Sequence, residues 1–341
     1  MKELTKYLEE GADLSTDQVK EAAAALLDES IKNPVKADFL EALSKKGESP
    51  EEIAAFVEEF LKVAVVPELK YIRKPIIDVC GTGGDKLGMF NVSTAAVFVL
   101  VAGGCMVAKH GNRAITSKCG GADVLEALGI NIEMGPEDFS QCIKEVGAGF
   151  MFAPNYHPAF KAVAPVRKLL AKRGSHSIFN LLGPLLNPVS PKFQLVGITN
   201  PKLGADYAKI LKLLGRERAW VCHGVSERQQ HRMDEFCAVG STIVWPTDKS
   251  KFEVDASVLG IRGGTTEDLK GGTARQNAKI IQDILSNEDQ GPKSDMVALN
   301  ASAGFVVAGV ATDIRNGLEI ARELLADGSA LKVLDAWKEF C

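Results

Sequence analysis

Glycines and hydroxyl side chains surround a predicted strand-to-helix junction between residues 76 and 94. Residues 76–79 (IIDV) are mostly apolar and β-branched, which predicts a short buried strand. Three glycines follow within residues 81–85 (GTGGD), and a helix is predicted to begin near Asn91. Glycine lets backbone N–H groups approach an anion, and the free N–H groups of a first helical turn favour negative charge. The junction therefore favours a phosphorylated ligand, although glycine loops are common after strands and this one matches neither the P-loop nor the dinucleotide fingerprint.

A run of basic and polar residues, 109–113 (KHGNR), follows the next predicted strand at 105–108. At the carboxyl edge of a parallel sheet, this run would place two cations beside the glycine loop, where ligands of open α/β sheets bind. The alternative interpretation is a solvated basic loop. The mixed chemistry between a strand and a helix favours a functional role.

Asp234 and Glu235 form an adjacent carboxylate pair in a predicted loop. Such a pair can hold Mg²⁺, which takes oxygen ligands from carboxylates and substrate phosphates. Acidic pairs are also frequent on protein surfaces, so the dipeptide by itself is weak evidence. Residues 155–158 (NYHP) and Arg167 form a further polar group, for which a helix start with a surface arginine is the alternative. No covalent nucleophile or general base is assigned.

Composition limits the class of protein. The chain has 341 residues, which predicts one large domain and one smaller one. A hydrophobic content of 46% fits a globular protein that can bury a sizeable core. A net charge of −4 without a basic stripe argues against a nucleic-acid partner. The longest apolar stretch, 95–108, is interrupted by glycines and is too short for a membrane span. The acidic, helix-like start does not resemble a signal peptide, and seven scattered cysteines without a Cys-x-x-Cys motif indicate reduced cytosolic thiols.

The first seventy residues are predicted to form helices. Ser15 and Gln18 have the spacing of a capping box, a second helix covers 37–46 and stops at Gly47, and a third begins at Ser49 with a proline behind it. Their apolar stripes can pack on each other or on a partner chain. Burial within the monomer is the default interpretation, and a dimer interface is the alternative.

Strand-like and helix-like runs alternate from residue 76 onward, which predicts a mostly parallel sheet covered by helices on both faces. A connector broken by glycine and prolines is predicted at 179–191. The predicted strands are 76–79, 105–108, 150–153, 194–198, 219–222 and 242–245, and the predicted helices are 122–128, 158–171, 203–214, 273–286, 294–308, 312–326 and 330–340.

The motifs together resemble those of anthranilate phosphoribosyltransferases, in the order that the family has them. The matching segments are GTGGD at 81–85, NVST at 91–94, KHGNRAITS at 109–117, ADVLE at 122–126, APNYHP at 153–158, Arg167, FNLLGPLLNP at 179–188, and Asp234-Glu235. The resemblance implies an α/β fold of the nucleoside phosphorylase and phosphoribosyltransferase type. A small helical domain, 1–72, would be joined by a helical segment near 160–190 to a large α/β domain, 73–341, with a mostly parallel central sheet.

The resemblance also implies the activity. The family transfers the phosphoribosyl group of 5-phosphoribosyl 1-diphosphate (PRPP) to the amine of anthranilate, the second step of tryptophan biosynthesis from chorismate. It implies a cytoplasmic homodimer, associated through the helical domains, with small-molecule substrates and with neither nucleic acid nor membrane as a partner. Mg²⁺ would be the cofactor, as two ions in each monomer.

The resemblance assigns site residues as well. For PRPP they are Gly81, Gly84, Asp85, Asn91, Val92, Ser93, Thr94, Lys109, His110, Gly111, Asn112, Arg113, Ala114, Ile115, Thr116 and Ser117. For anthranilate they are Gly81, Asn112 and Arg167. For Mg²⁺ they are Ser93, Asp234 and Glu235.

The chain departs from the family pattern at two positions and in one segment. Met89 stands where threonine is usual and Gly121 where serine is usual, so two hydroxyl groups that could bind phosphate oxygens are missing. Residues 172–177 (KRGSHS) also replace a shorter run. These differences predict weaker affinity for PRPP.

Two other functions are considered. A nucleoside phosphorylase would need phosphate as its nucleophile and a glycine signature of its own, which the chain lacks. A relative that kept the fold and binds nucleic acid would have a basic surface and no metal carboxylates. The net charge of −4 and the Asp234-Glu235 pair oppose this second alternative.

Overall fold

The computed structural model describes residues 1–70, 72–114, 118–226 and 230–341 of the chain. The strands are β1 (Ile76–Gly81), β2 (Met106–Gly111), β3 (Ala148–Phe152), β4 (Phe193–Gly197), β5 (Arg218–Ser226), β6 (Arg232–Met233), β7 (Gly240–Pro246) and β8 (Phe252–Asp255). The helices are α1 (Lys2–Glu9), α2 (Thr16–Leu27), α3 (Asn33–Lys46), α4 (Pro50–Leu61), α5 (Val92–Ala102), α6 (Gly121–Ala127), α7 (Pro136–Val146), α8 (Ala153–Tyr156), α9 (Ala164–Lys172), α10 (Phe179–Leu182), α11 (Gly204–Leu213), α12 (Ala274–Leu285), α13 (Pro292–Ala308), α14 (Ile314–Ala326) and α15 (Ser329–Phe340). Short 3₁₀ turns lie at Pro158–Ala162, Gly183–Leu185, Pro201–Leu203 and Ala256–Leu259.

The strands form one mixed sheet in the order β3-β2-β1-β4-β5-β7-β8, with β6 paired to β5. β3, β2, β1, β4 and β5 run parallel, while β6, β7 and β8 pair antiparallel. In the register of the three central strands, Gly81 pairs with Gly197 and Gly197 with Cys222. The carboxyl ends of β1, β4 and β5 therefore meet at one edge, and the predicted fold class is confirmed.

Helices cover both faces of the sheet. Successive side chains of a strand point to opposite faces, so neighbouring residues of one strand pack in different hydrophobic clusters. Leu195 and Trp220 belong to a hydrophobic cluster that includes much of α5, α13 and α15. Their neighbours Val196 and Val221 belong to a second cluster, formed with α2, α3, α4 and α11.

Two of the N-terminal helices, α2 and α4, begin as the sequence predicts, whereas α3 begins at Asn33, before the start predicted at 37, and ends before Gly47 as predicted. Ser15 and Ser49 each accept a hydrogen bond from the backbone N–H three residues later, and Gln18 and Glu52 complete the two capping boxes. Residues of α9 and α10 lie in the same hydrophobic cluster as these helices, and Arg173 pairs with Asp38 of α3 at 2.9 Å. The division of the chain at residues 72 and 73 remains a prediction.

Three further predicted elements differ clearly from those observed. The strand predicted at 105–108 is β2, Met106–Gly111, so Lys109, His110 and Gly111 belong to the strand and not to a loop behind it. The strand predicted at 150–153 is β3, which ends at Phe152 because Ala153 already belongs to α8. The single helix predicted at 158–171 is a 3₁₀ turn followed by α9, with Val163 between them. Pro165 lacks the N–H that a continuous helix would need there, and its ring would meet the carbonyl of Lys161. The short strands β6 and β8 were not predicted.

Among the helices of the described residues, none has both the length and the apolar character that crossing a membrane requires.

Candidate functional site

The ends of three central strands carry glycines that make room for the Asp234-Glu235 segment. A Cβ atom built on Gly197 would overlap the carbonyl oxygen of Asp234 and stand 2.9 Å from its Cα. One on Gly81 would overlap Asp234 Oδ2, and one on Gly224 would lie 2.5 Å from the carbonyl oxygen of Glu235. Real Cβ atoms do not approach that closely, so the acidic pair can lie against the sheet edge only because β1, β4 and β5 have no side chains there.

Both carboxylates of the pair are held by backbone N–H groups of the predicted phosphate loop and helix. Gly83 donates to Asp234 Oδ2 at 2.6 Å, and Ser93 near the start of α5 donates to Glu235 Oε1 at 3.3 Å. Gly83 and Gly84 have φ of 74° and 88°, a conformation that favours glycine. The sequence-distant acidic pair, the glycine loop and the start of α5 therefore form one cluster.

The charge of Lys109 offsets part of the negative charge of the acidic pair. Neither carboxylate forms an ion pair with any residue in the described part of the chain. Burial, with the nearby charge of Asp85, raises the pKa of Asp234 to about 6. Burial and the adjacent Asp234 charge raise the pKa of Glu235 well above its usual range. A cation bound between these groups would relieve both effects.

Lys109 of β2 reaches this cluster with its ammonium group, which lies between β1 and the start of α5. The side chain is buried, and Nζ donates to the carbonyl oxygen of Val79 at 2.6 Å and lies 3.4 Å from Ser93 Oγ. The structure thus places one fixed positive charge beside a predicted metal-binding hydroxyl group.

The segment after β2 is organised by Asp123 of α6. Asp123 Oδ2 accepts hydrogen bonds from the backbone N–H of Ala114 at 2.9 Å and of Gly120 at 2.8 Å. Arg113 pairs with Asp123 at 3.2 Å and makes two hydrogen bonds to Glu126 at 2.8 and 3.0 Å. The guanidinium of Arg113 is therefore engaged by α6, although the prediction assigns it to PRPP.

The side chain of Asn91 also bonds within the protein. Its Nδ2 donates to the carbonyl oxygen of Cys119 at 3.2 Å, and its Oδ1 accepts from Asn277 Nδ2 at 2.9 Å. Asn277 is buried on α12 and accepts a hydrogen bond from Gly272 N at 2.7 Å. Asn91 thus ties α12 to the loop that precedes α6.

A chain of aromatic rings leads from the end of β2 to Arg167. His110 and His157 meet edge to face with ring centroids 5.1 Å apart, and the ring of His157 stacks on Phe160 at 5.2 Å. Phe160 contacts Phe179 at 5.8 Å, and the Arg167 guanidinium carbon lies 5.9 Å from the Phe179 centroid. Arg167 is exposed and forms no ion pair with a described residue.

Two buried histidine nitrogens along this path lack hydrogen-bond partners among the residues that the structure describes. They are His110 Nε2 and His157 Nδ1. Burial, with the neighbouring His157, lowers the pKa of His110 to about 3, and burial also lowers the pKa of His157. The ring of His110 is therefore neutral at pH 7, and each of the two rings has one buried nitrogen without a partner among the described residues.

The departures from the family pattern have structural counterparts. A Cβ atom on Gly121 would lie 3.5 Å from Thr94 Oγ1 and 3.7 Å from Lys109 Cε, which is ordinary contact. Met89 forms an isolated bridge with Lys270 and packs against the main hydrophobic cluster. In the segment 172–177, Ser175 Oγ donates to Glu41 Oε1 of α3 at 2.7 Å, so this segment contacts the N-terminal helices.

The predicted site residues therefore fall into three groups. Gly81, Asp85, Ser93, Lys109, Asp234 and Glu235 lie in one cluster at the sheet edge. His110 leads through the aromatic rings to Arg167, while Asn91 and Arg113 bond to other parts of the protein. Three predicted residues, Ile115, Thr116 and Ser117, lie outside the described residues.

Comparison with known proteins identifies the family. Residues 73–331 match the family described as "Glycosyl transferase family, a/b domain", and residues 2–64 match the corresponding "helical bundle domain". The chain is 39% identical over 343 aligned positions to the anthranilate phosphoribosyltransferase of Persephonella marina, covering 100% of this chain and 98% of that relative. The chain belongs to the anthranilate phosphoribosyltransferase family.

Solved structures agree with that membership. The anthranilate phosphoribosyltransferase of Thermus thermophilus superposes with a TM-score of 0.90 at 39% identity, over 99% of this chain and 98% of the other. The enzyme of Saccharomyces cerevisiae in complex with PRPP and Mg superposes with a TM-score of 0.88 at 26% identity, over 99% and 96%. The resemblance drawn from the motifs is confirmed.

The structure adds residues that the sequence analysis did not assign to the site. Gly197 ends a parallel strand beside Gly81, and Asn277 and Asn300 are buried asparagines on α12 and α13. A signal was present for two of them. Gly197 is a glycine at the end of a predicted strand, and Asn300 is a polar residue inside an apolar helical run (MVALNASAGFVVA). His157 was noted in its motif but not assigned.

Proposed function

We propose that this protein transfers the phosphoribosyl group of PRPP to the amine of anthranilate, giving N-(5-phosphoribosyl)anthranilate and diphosphate. One structural observation supports this proposal. The acidic pair Asp234-Glu235 is hydrogen-bonded to both the glycine loop and the start of α5, and Lys109 lies beneath them. Carboxylates, a glycine loop at the start of a helix and a buried cation together suit a diphosphate that is held through a metal.

The donor set fits Mg²⁺ that is shared with a phosphorylated substrate. Ser93, Asp234 and Glu235 would hold the metal, and a divalent cation would offset the burial and the neighbouring carboxylate charges that raise the pKa of both acids. Among the described residues no group of three or more His, Cys, Asp and Glu side chains could hold a metal ion. Oxygen atoms of PRPP would complete the coordination, as is usual for Mg²⁺. When bound, Mg²⁺ neutralises charge on the departing diphosphate. Two ions in each monomer remain part of the proposal.

The chain's own residues would act on PRPP mainly by binding and positioning. The proposed PRPP set is the glycine loop with Gly81, Gly84 and Asp85, the start of α5 with Asn91–Thr94, and residues 109–117. Lys109 would supply fixed positive charge near the leaving group, which is worth more in a site that excludes water. The ribosyl carbon would develop oxocarbenium character, as in glycoside cleavage. No covalent nucleophile or general base is proposed.

The aromatic path to Arg167 suits a planar aromatic acid. The guanidinium of Arg167 can form paired hydrogen bonds with a carboxylate, and the rings of Phe160 and Phe179 offer apolar faces between Arg167 and His157. His157 Nε2 donates to the carbonyl oxygen of Leu186, so in the neutral ring Nδ1 can accept a hydrogen bond from an amine. Gly81 and Asn112 complete the proposed acceptor site, and holding the amine next to C1 would supply much of the acceleration.

The proposal has three further parts. The chain divides into a helical domain, 1–72, and an α/β domain, 73–341. It forms a homodimer through the helical domain, on which Tyr7 of α1 is an exposed large apolar side chain. It acts in the cytoplasm, in keeping with seven scattered cysteines that contain no Cys-x-x-Cys motif. Light scattering of the purified protein tests the dimer.

Anthranilate fluorescence tests the activity directly. We expect the signal to fall with time when PRPP and Mg²⁺ are both present, and to stay constant when either is omitted. The double variant Asp234→Asn, Glu235→Gln should be slower and less dependent on Mg²⁺ concentration. Unchanged fluorescence with folded wild-type protein would refute the proposed activity, and wild-type kinetics in the double variant would refute the metal assignment.

A further inference from the structure

Asn300 is a buried polar side chain of α13 that faces the residue after the acidic pair. It is 2% exposed. Its Oδ1 accepts from the backbone N–H of Phe236 at 2.9 Å, and its Nδ2 donates to the carbonyl oxygen of Phe236, also at 2.9 Å. Nδ2 donates in addition to the carbonyl oxygen of Met296 at 2.9 Å. Every donor and at least one lone pair of this amide are therefore used.

The pairing fixes the backbone directly beside the carboxylates. Phe236 follows Glu235, and both of its main-chain polar groups bond to one rigid amide. Its ring stacks on Trp220 of β5 with centroids 6.3 Å apart. On the other side, the glycines at the ends of β1, β4 and β5 lie against Asp234 and Glu235. The acidic segment is thus held between a glycine edge and one asparagine.

Asn300 is one of several buried polar residues of α13. Another buried polar residue of α13, Ser302, donates to the carbonyl oxygen of Ile314 at 2.6 Å and so joins α13 to α14. If Asn300 only filled space, an apolar side chain would serve as well, since its neighbours on α13 are almost all buried and mostly apolar. An apolar residue would instead leave the N–H and carbonyl of Phe236 without partners. Ser93, Glu235 and Asn300 also line one small cavity.

We propose that Asn300 is a positioning residue for the metal-binding carboxylates: its paired hydrogen bonds to Phe236 set where Asp234 and Glu235 stand relative to Ser93. This proposal rests on the proposed function for its metal site. Partners that orient metal ligands in this way typically change metal affinity about 10- to 100-fold when they are lost.

The test measures metal binding without the transfer reaction. Mn²⁺ is titrated into protein with diphosphate and followed by electron paramagnetic resonance, for the wild type and for Asn300→Asp, Asn300→Leu and Ser302→Ala. Asn300→Asp keeps an acceptor for Phe236 N–H but turns a second oxygen toward the carbonyls of Phe236 and Met296. Asn300→Leu removes every hydrogen bond. Ser302→Ala is the matched control on the same helix.

We expect both Asn300 variants to bind Mn²⁺ about 10- to 100-fold more weakly and the Ser302 control to bind as the wild type does. In steady-state assays, excess Mg²⁺ should restore kcat in Asn300→Asp and leave KM for anthranilate unchanged. Equal Mn²⁺ affinity in folded Asn300 variants would overturn this proposal alone. Unfolding of both Asn300 variants, with a folded Ser302→Ala, would also overturn it, since Asn300 would then serve the fold as a whole. If the wild type bound no Mn²⁺, the proposed metal site itself would be wrong, and this proposal with it.

Discussion

The carbonyl oxygen of Asp234 lies where a side chain of Gly197 would begin. A Cβ atom on Gly197 would overlap that oxygen and stand 2.9 Å from Asp234 Cα. Because the obstacle is backbone, rotation of a side chain cannot relieve it. We expect Gly197→Ala to displace the acidic segment, to lower the free energy of unfolding by about 1–3 kcal/mol, and to reduce Mg²⁺-dependent activity sharply. Chemical denaturation and Mg²⁺ titration of the rate measure the two effects.

Gly135→Ala is the matched control for that substitution. Gly135 precedes α7 with φ of −73°, and no atom lies within 4 Å of the position that its Cβ would take. This variant should keep the wild-type stability and activity. If Gly197→Ala behaved in the same way, the glycine edge would not position the carboxylates.

The contact between Gly197 and Asp234 is of a kind that local sequence patterns do not predict. Local patterns predicted the strand before Gly81, the capping boxes of α2 and α4, and the alternation that builds a parallel sheet, because each depends on neighbours along the chain. The contact between the acidic pair and the glycine loop joins residues 151 positions apart. No local rule gives that separation, and the motif resemblance alone placed these residues in one site.

Tertiary contacts also change how single residues are used. Arg113 lies in a basic run typical of phosphate binding, yet Asp123 and Glu126 of α6 engage its guanidinium. Asn300 stands out as a polar residue in an apolar helical run, but its sequence neighbours do not indicate that it hydrogen-bonds to Phe236. Short antiparallel strands such as β6 depend on pairing with β5 and have too few residues to show a pattern.

Gly121 has room for a hydroxyl side chain facing the candidate site. Its Cβ would be 3.5 Å from Thr94 Oγ1 and 3.7 Å from Lys109 Cε. We expect Gly121→Ser to fold, to gain about 0.4–1 kcal/mol from the stiffer unfolded chain, and to lower KM for PRPP by up to about tenfold, the equivalent of roughly 1.4 kcal/mol from one added hydrogen bond. Thermal unfolding and PRPP titration measure both effects.

The neighbouring glycine provides the contrast. A Cβ atom on Gly120 would lie 2.5 Å from Ala114 N and 2.7 Å from the carbonyl carbon of Arg113. Gly120→Ser should therefore be less stable than the wild type, while Gly121→Ser is not. A higher KM for PRPP in Gly121→Ser would show that the added hydroxyl group obstructs the ligand.

Arg167 carries a charge that the described protein does not use. Its guanidinium stacks 5.9 Å from the centroid of Phe179, and no described residue forms an ion pair with it. If it binds the anthranilate carboxylate, Arg167→Ala should lose about 1.5–3 kcal/mol of transition-state binding, or about ten- to a hundredfold in kcat/KM for anthranilate. The free energy of unfolding should change little.

The exposed neighbour Lys168 supplies the control, since Lys168→Ala removes a charge from the same helix. Equal kcat/KM in the two variants would remove Arg167 from the acceptor site.

His110 links stability to pH through its buried ring. Burial, with the adjacent His157, lowers its pKa to about 3, whereas an unfolded histidine titrates near 6.5. Between these values the unfolded chain binds a proton that the folded protein does not, so the free energy of unfolding falls as pH falls. The slope from this one group approaches 1.4 kcal/mol per pH unit, roughly. Asp234 acts in the opposite direction below about pH 6, because its raised pKa makes the folded state the better proton acceptor.

Urea unfolding of the wild type and of His110→Asn across pH 5 to 8 separates the two contributions, since Asp234 is common to both proteins. We expect the wild type to lose stability relative to the variant below about pH 6.5, with a constant difference above pH 7.5. Parallel curves over the whole range would mean that His110 titrates alike in the folded and unfolded states.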